Sequence, residues 1–144
     1  YDTGAQAPRE ITVTDFPGEN SIADGSTTVS TDNNTDFGSV AGPRTYRITN
    51  TSTDPVTVSG VVLNGVADFT LGTVTLPTIL AMDQTLDFTV SFGPGDAGVR
   101  ATTVEIASDA DNAQPLYDFV LEGLGLADVG DAGDFTSPDY TAVS

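Results

Sequence analysis

Oxygen donors crowd into two short segments, Asp32-Asn33-Asn34-Thr35-Asp36 and Asp109-Ala110-Asp111-Asn112. Calcium takes several oxygens from carboxylates, carboxamides and backbone carbonyls. The candidate ligands are therefore Asp32, Asn34 and Asp36 in the first segment and Asp109, Asp111 and Asn112 in the second. Neither segment follows the EF-hand pattern, because no glycine stands at the sixth position and no glutamate closes the loop. The competing reading of the same residues is the Asx-turn, in which an Asp or Asn oxygen accepts a hydrogen bond from nearby backbone. The two segments could also lie at different ends of the fold.

Little other chemistry is open to this chain. It has no histidine and no cysteine, so Ser-His-Asp and Cys-His constellations are impossible and the usual zinc sites are excluded. No Walker or GxGxxG pattern occurs. Two carboxylates can run a glycosidase, but with 17 aspartates accidental pairs are expected and carry no information. No set of nucleophile, base and orienting residue can be named. The sequence therefore reads as a non-enzyme with no cofactor other than calcium at the two segments above. Two sequons, Asn33-Asn34-Thr35 and Asn50-Thr51-Ser52, are acceptors only in a host with the machinery. With no lysine, Lys–Asn isopeptide crosslinks cannot form.

The charge narrows the partners. Twenty-one acidic residues stand against four arginines, Arg9, Arg44, Arg47 and Arg100, for a net charge of -17. Such a surface repels a phosphate backbone, so nucleic acid is not an expected partner. Anionic membrane surfaces are disfavoured for the same reason. No apolar run approaches the ~20 residues of a membrane helix. Divalent cations and neutral or basic partners remain. The lack of Lys and the wealth of Thr, Ser, Asp and Gly predict a secreted, extracellular protein, and a start at Tyr1 predicts one processed or excised from a longer chain; the lack of Cys fits any compartment.

The elements that must position these residues are strands. Apolar residues alternate with polar ones in Glu10–Phe16, Arg44–Asn50, Thr85–Phe92, Val99–Ser108 and Leu116–Leu124, the period-two signature of a sheet with one wet face. Pro55–Leu63 is a β-branched strand closed by the turn signal Asn64-Gly65, and Phe69–Leu76 is a further strand ended by Pro77. Asn20–Thr35 reads as a long polar loop that could carry a short strand. The expected core holds Tyr46, Ile48, Leu86, Phe88, Val90, Phe92, Val104, Ile106, Tyr117, Phe119 and Leu121. The fold class is all-β: a seven-stranded antiparallel immunoglobulin-like β-sandwich with extended termini. Residues 1–9 form an N-terminal extension, 10–125 the sandwich, and 126–144 an acidic, Gly-rich C-terminal tail.

Several motifs support a family resemblance. They are Ile22-Ala23-Asp24-Gly25, Thr35-Asp36-Phe37-Gly38-Ser39-Val40, Tyr46-Arg47-Ile48-Thr49-Asn50-Thr51, Leu86-Asp87-Phe88-Thr89-Val90-Ser91-Phe92-Gly93-Pro94 and Tyr117-Asp118-Phe119-Val120-Leu121-Glu122-Gly123. In this order they resemble immunoglobulin-like domains of the ASPM/SPD-2/Hydin type, found in secreted bacterial proteins described as choice-of-anchor D. The resemblance implies a sandwich related to major sperm protein domains, a structural or interaction role, and no catalytic residues to carry over.

Two functions follow as expectations. One is a subunit of a surface filament or layer, self-associating as a homo-oligomer when a terminal segment docks on a neighbouring sheet edge. Phe135, Tyr140 and Val143 in the C-terminal tail are then the assembly residues, with Tyr1 in the rival N-terminal segment. The alternative is an adhesive or ligand-recognition module for carbohydrate or protein, or a spacer, within a larger secreted protein.

Overall fold

The structure, a computed structural model, describes residues 8–65, 68–95 and 97–126. Nine strands follow one another: β1 (Ile11–Phe16), β2 (Ser21–Ile22), β3 (Gly42–Asn50), β4 (Val56–Gly65), β5 (Phe69–Leu71), β6 (Thr78–Leu80), β7 (Thr85–Phe92), β8 (Gly98–Ser108) and β9 (Tyr117–Gly125). Among the described residues a single 3-10 turn, Asp111–Ala113, precedes β9. The strands form two sheets, a five-stranded one in the order β2-β1-β3-β7-β5 and a four-stranded one in the order β6-β4-β8-β9. Every pairing between these strands is antiparallel. The expected all-β, immunoglobulin-like sandwich is therefore the observed architecture.

The period-two pattern explains how the sheets face one another. In β7, Phe88, Val90 and Phe92 are buried while Thr89 and Ser91 between them are only half-buried. In β9, Tyr117, Phe119, Leu121 and Gly123 point inward and Asp118, Val120, Glu122 and Leu124 outward. Tyr46 packs between Phe88 on its own sheet and Phe119 on the opposite one, with ring centroids 5.6 and 6.0 Å away. Phe37, Phe69 and Phe92 form a second aromatic group, in which Phe69 stacks on Phe92 at 4.8 Å. Gly123 lies under Phe92. A Cβ placed there would come within 2.5 Å of the ring, so the inter-sheet contact needs glycine at that point.

Ten of the eleven expected core residues are buried. Leu86, the eleventh, is half-buried and packs against the core from the rim. Three local expectations need correction. Asn64-Gly65 does not turn the chain; β4 runs through both residues, paired with Thr103 and Thr102. The stretch Phe69–Leu76 is a strand only to Leu71, because pairing with β7 ends there and the chain leaves for the other sheet. A short strand then forms after Pro77, where Val56, Thr57 and Val58 pair with Leu80, Ile79 and Thr78.

Candidate interaction surfaces

The two acidic segments sit at opposite ends of β1, and their oxygens accept hydrogen bonds from this chain's own backbone. At one end Asp111 Oδ2 accepts from the Arg9 N–H at 2.8 Å, while the Asp111 N–H donates to the Arg9 carbonyl at 2.7 Å. The Asn112 carboxamide does the same for Ile11, accepting from its N–H at 3.1 Å and donating to its carbonyl at 2.9 Å. Asp109 accepts from the Thr57 N–H at 2.9 Å and donates its own N–H to the Thr57 carbonyl. These three residues act as strand surrogates, supplying ladder bonds where no strand is present.

At the other end Asn34 occupies the left-handed region, with φ of 63°, which asparagine tolerates better than most residues. Its Nδ2 donates to Asp15 Oδ2 at 2.7 Å, its Oδ1 accepts from Arg44 at 2.5 Å, and its carbonyl accepts from the Tyr46 hydroxyl at 2.6 Å. Asp36 Oδ1 accepts from the Gly38 N–H at 2.8 Å. Asp32 is exposed and takes part through its backbone carbonyl, which accepts from Asn20. Among the described residues, no three His, Cys, Asp or Glu side chains come together as a metal-holding group.

Asp15 is the functional polar residue that the sequence reading missed. It is 1 % exposed, yet it stands in an alternating strand where a core residue is expected. Its carboxylate is held by the Asn20 N–H at 2.6 Å and by Asn34, which is how a buried charge becomes tolerable. Asn50 is the second. It is fully buried, and its amide donates to the Asp54 and Leu80 carbonyls. The Asn50 sequon is thus a structural joint in the folded chain. The Asn33 amide likewise donates to the Ser21 carbonyl.

These contacts cover the outer edges of β1 and β9. Along β1, the outward-facing backbone groups of Arg9 and Ile11 are met by Asp111 and Asn112, Val13 pairs with Ile22, and Asp15 pairs with Glu19 and Asn20. Along β9, residues 24–38 run alongside as a parallel strap. Asp118 is met by Asp24 and Gly25, Val120 by Ser26, Glu122 by Thr35 and Phe37, and Leu124 by Gly38. Between Ser26 and Thr35 the strap leaves β9, and a notch of about 370 Å³ opens there, lined by Gly25, Ser26, Thr27, Thr103 and residues 118–120. Among the described residues the other two sheet edges are β5 and β6 together with the stretches of β7 and β4 that these short strands do not reach, residues 85–88 and 59–65. Ile79 of β6 is 68 % exposed.

Two broad faces remain. On the five-stranded sheet the outward residues form rows across the strands: Thr12–Thr49–Thr85, Thr14–Arg47–Asp87 and Phe16–Thr45–Thr89. Arg47 meets Asp87 through two hydrogen bonds, 2.7 and 2.9 Å, which raise the affinity of its guanidinium for the proton. The same guanidinium lies 3.7 Å above the Phe16 ring. On the four-stranded sheet the outward rows are Val62–Glu105–Asp118, Asn64–Thr103–Val120, Ala101–Glu122 and Val99–Leu124. This face has three carboxylates and no cation. The inward Arg100 instead reaches Asp68 at 3.1 Å. The Gly95 N–H, and then Arg100, hold the Asp68 carboxyl below its usual range.

The proposed assembly residues Phe135, Tyr140 and Val143, with Tyr1, lie outside the described residues. Among the described residues no helix is long and apolar enough to cross a membrane.

Comparison with known proteins gives no family match and no similar curated protein. Similar solved structures exist. The VesB protease of Vibrio cholerae matches 62 % of this chain at 13 % identity with a TM-score of 0.52, and the secreted serine protease VesC of the same organism matches the same share at 13 % identity and 0.51. These matches cover 29 % and 21 % of the two proteases, so the chain spans less than a third of either. The ASH/PapD-like domain 7 of human CEP192 matches 88 % of this chain and 93 % of that domain, at 13 % identity and a TM-score of 0.50. At this level of identity the likeness is one of fold: the chain is an immunoglobulin-like sandwich with structural neighbours among PapD-like domains and parts of larger proteins.

Proposed function

We propose that this chain is a non-enzymatic, extracellular interaction module of the ASPM/SPD-2/Hydin type, carried within a larger secreted protein. The observation that carries this reading is the closure of β1 and β9 along their lengths by the chain's own strap and side chains. A sandwich with these two edges covered resists strand pairing along them and is left to meet partners chiefly through faces and loops. The partial overlap with two larger proteases supports the modular arrangement. The absence of His and Cys from the whole chain supports the non-enzymatic one. Electron microscopy and sedimentation of the full 144-residue chain test the reading. Discrete particles at every salt concentration are expected, and fibres would overturn it.

The exposed Ile79 on the three-residue edge strand β6 favours a second reading. In it, the tail residues Phe135, Tyr140 and Val143 of one subunit dock on a neighbour's sheet edge and build a filament. With β1 and β9 covered, the places left for such docking are β5, β6 and the stretches of β7 and β4 beyond them. Deleting residues 127–144 should then abolish fibres, and fibres that persist would reject terminal docking.

A further inference from the structure

We propose that the outward face of the five-stranded sheet is where two copies of this chain meet, face to face, about a two-fold axis running along the strands between β3 and β7. The inference is independent of the modular reading above and of terminal-strand docking, because it uses neither termini nor sheet edges.

Charge is the first reason. In a chain of net charge -17, two copies repel wherever their acidic surfaces approach. The outward rows of β1, β3 and β7 contain one cation and one anion, Arg47 and Asp87, already paired. These strand rows are therefore electrically neutral, with Glu19 near Arg47 at their rim, and they lie opposite the face carrying Glu105, Asp118 and Glu122. Meeting here keeps those carboxylates on the far sides of the pair.

Self-complementarity is the second reason. An isologous contact requires a surface that fits a rotated copy of itself. A two-fold axis between β3 and β7 swaps the two strands, so each residue faces the partner copy of its own ladder mate. Arg47 then faces the partner's Asp87, and Asp87 faces the partner's Arg47. The flanking mates are Thr45 with Thr89 and Thr49 with Thr85. A threonine hydroxyl both donates and accepts, so each Thr-on-Thr meeting can be satisfied in either direction. The same rotation applied to the four-stranded sheet, about an axis between β8 and β9, would set Glu105 on the partner's Asp118, a like-charge contact.

Size sets the strength. Three strands, β1, β3 and β7, about 4.8 Å apart and about seven residues long at about 3.3 Å per residue give roughly 330 Å² of flat area per copy. Standard interfaces bury about 800 Å² of accessible surface per partner. A weak dimer is expected, because this area falls well short of a standard interface. Salt should tighten it by screening the repulsion between the two acidic bodies.

Sedimentation velocity of the full chain, from low salt to about 0.5 M NaCl, tests the proposal. A reversible monomer–dimer equilibrium that tightens with salt is expected. Arg47→Glu gathers four carboxylates at the centre of the face and should weaken the dimer by more than about tenfold. The exchange Arg47→Glu with Asp87→Arg rebuilds the complement and should restore it. Thr49→Glu breaks no ion pair and should also give a monomer, which covers the case in which Arg47→Glu fails to fold. Glu122→Gln, on the opposite face, should change nothing. Melting curves establish that each variant is folded. A wild-type chain that stays monomeric at high salt, a dimer that survives both Arg47→Glu and Thr49→Glu, or a charge exchange that fails to restore association would each overturn the proposal.

Discussion

The outward positions of β3 and β7 read Thr45, Arg47, Thr49 and Thr85, Asp87, Thr89; those of β8 and β9 read Val99, Ala101, Thr103, Glu105 and Asp118, Val120, Glu122, Leu124. Both sets come from the same alternation, and both cover a buried row of Phe, Tyr, Val and Ile. On one sheet each charged residue stands beside its opposite. On the other, Glu105 stands directly across from Asp118, an arrangement that destabilises a sheet. Alternation therefore dictates which residues face out, while cross-strand register dictates what the face can do. Four arginines cannot neutralise 21 acids. Arg47 is used to neutralise one face, Arg44 reaches Asn34 and the Phe37 ring, and Arg100 reaches Asp68.

The largest effect contrasts inside with outside on a single strand. Phe88→Ala empties the space between Tyr46 and the core and should cost about 3–5 kcal/mol. Thr85→Ala, three residues away on the open face, should stay within about 0.5 kcal/mol. Chemical denaturation of the two variants measures both. Comparable losses would mean that the hydroxyl face is itself packed against something.

Next comes the buried joint beneath the faces. Asp15→Leu strands the Asn20 N–H and the Asn34 amide that now donate to the carboxylate. A loss of about 2–3 kcal/mol is expected, with increased hydrogen exchange of the Asn20 amide. An unchanged melting temperature would show that the network is dispensable.

The pH dependence follows from Tyr46. Burial pushes its phenol far above the ordinary value, with smaller contributions from Arg44, which lowers it, and Asp15, which raises it. A group whose folded pKa is raised gives stability that is complete below the unfolded pKa, about 10 for tyrosine, and lost as pH rises beyond it. Melting temperature should therefore hold up to about pH 9.5 and fall above it, and Tyr46→Phe should flatten that fall. A variant that loses stability as steeply as the parent would place the alkaline sensitivity elsewhere, with Tyr117, whose phenol is also raised by burial, the next group to test.

Smaller effects separate the two faces directly. Glu105→Lys converts the like-charge pair with Asp118 into an opposite one and should stabilise by roughly 0.2–1 kcal/mol, most at low salt. Arg47→Gln on the other face should destabilise by no more than about 1 kcal/mol. If both shifts have the same sign, register is not what distinguishes the faces. The smallest effect concerns calcium. Since Asn34, Asp36, Asp109, Asp111 and Asn112 already hold backbone or side-chain donors, calcium and magnesium at equal ionic strength should raise the melting temperature equally. A calcium-specific rise removed by Asp36→Asn would instead identify a cation site in the first segment.

The core and its two-sheet arrangement were legible because side-chain period is a local property: β3, β7, β8 and β9 alternate over seven or more residues, enough to reveal the buried side. The short strands, of two or three residues, carry too few periods to be drawn correctly: the sequence reads β5 as a strand running on to Leu76, β2 only as a short strand that the polar loop could carry, and β6 not at all. Asn64-Gly65 has the composition of a turn, yet eight neighbours of β4 and the ladder to β8 keep both residues extended. The candidate ligands were legible as oxygen donors but not in their role. An Asp or Asn oxygen offers the same lone pairs to a cation as to an N–H, and only the placement of Arg9, Ile11 and Thr57 beside Asp111, Asn112 and Asp109 decides between them.

By itself, then, the sequence determined the all-β class, the inward and outward sides of the long strands, the excess of negative charge, and the exclusion of histidine and cysteine chemistry. These depend on composition and on spacing within one strand. Tertiary structure decided that the edges along β1 and β9 are covered, that Asp15 and Asn50 are buried joints, and that the outer faces differ in charge. Each of those depends on which residue of a distant segment lies opposite which. That register is set by the packing of two sheets against each other, around Tyr46, Phe88 and Phe119, and no local period encodes it.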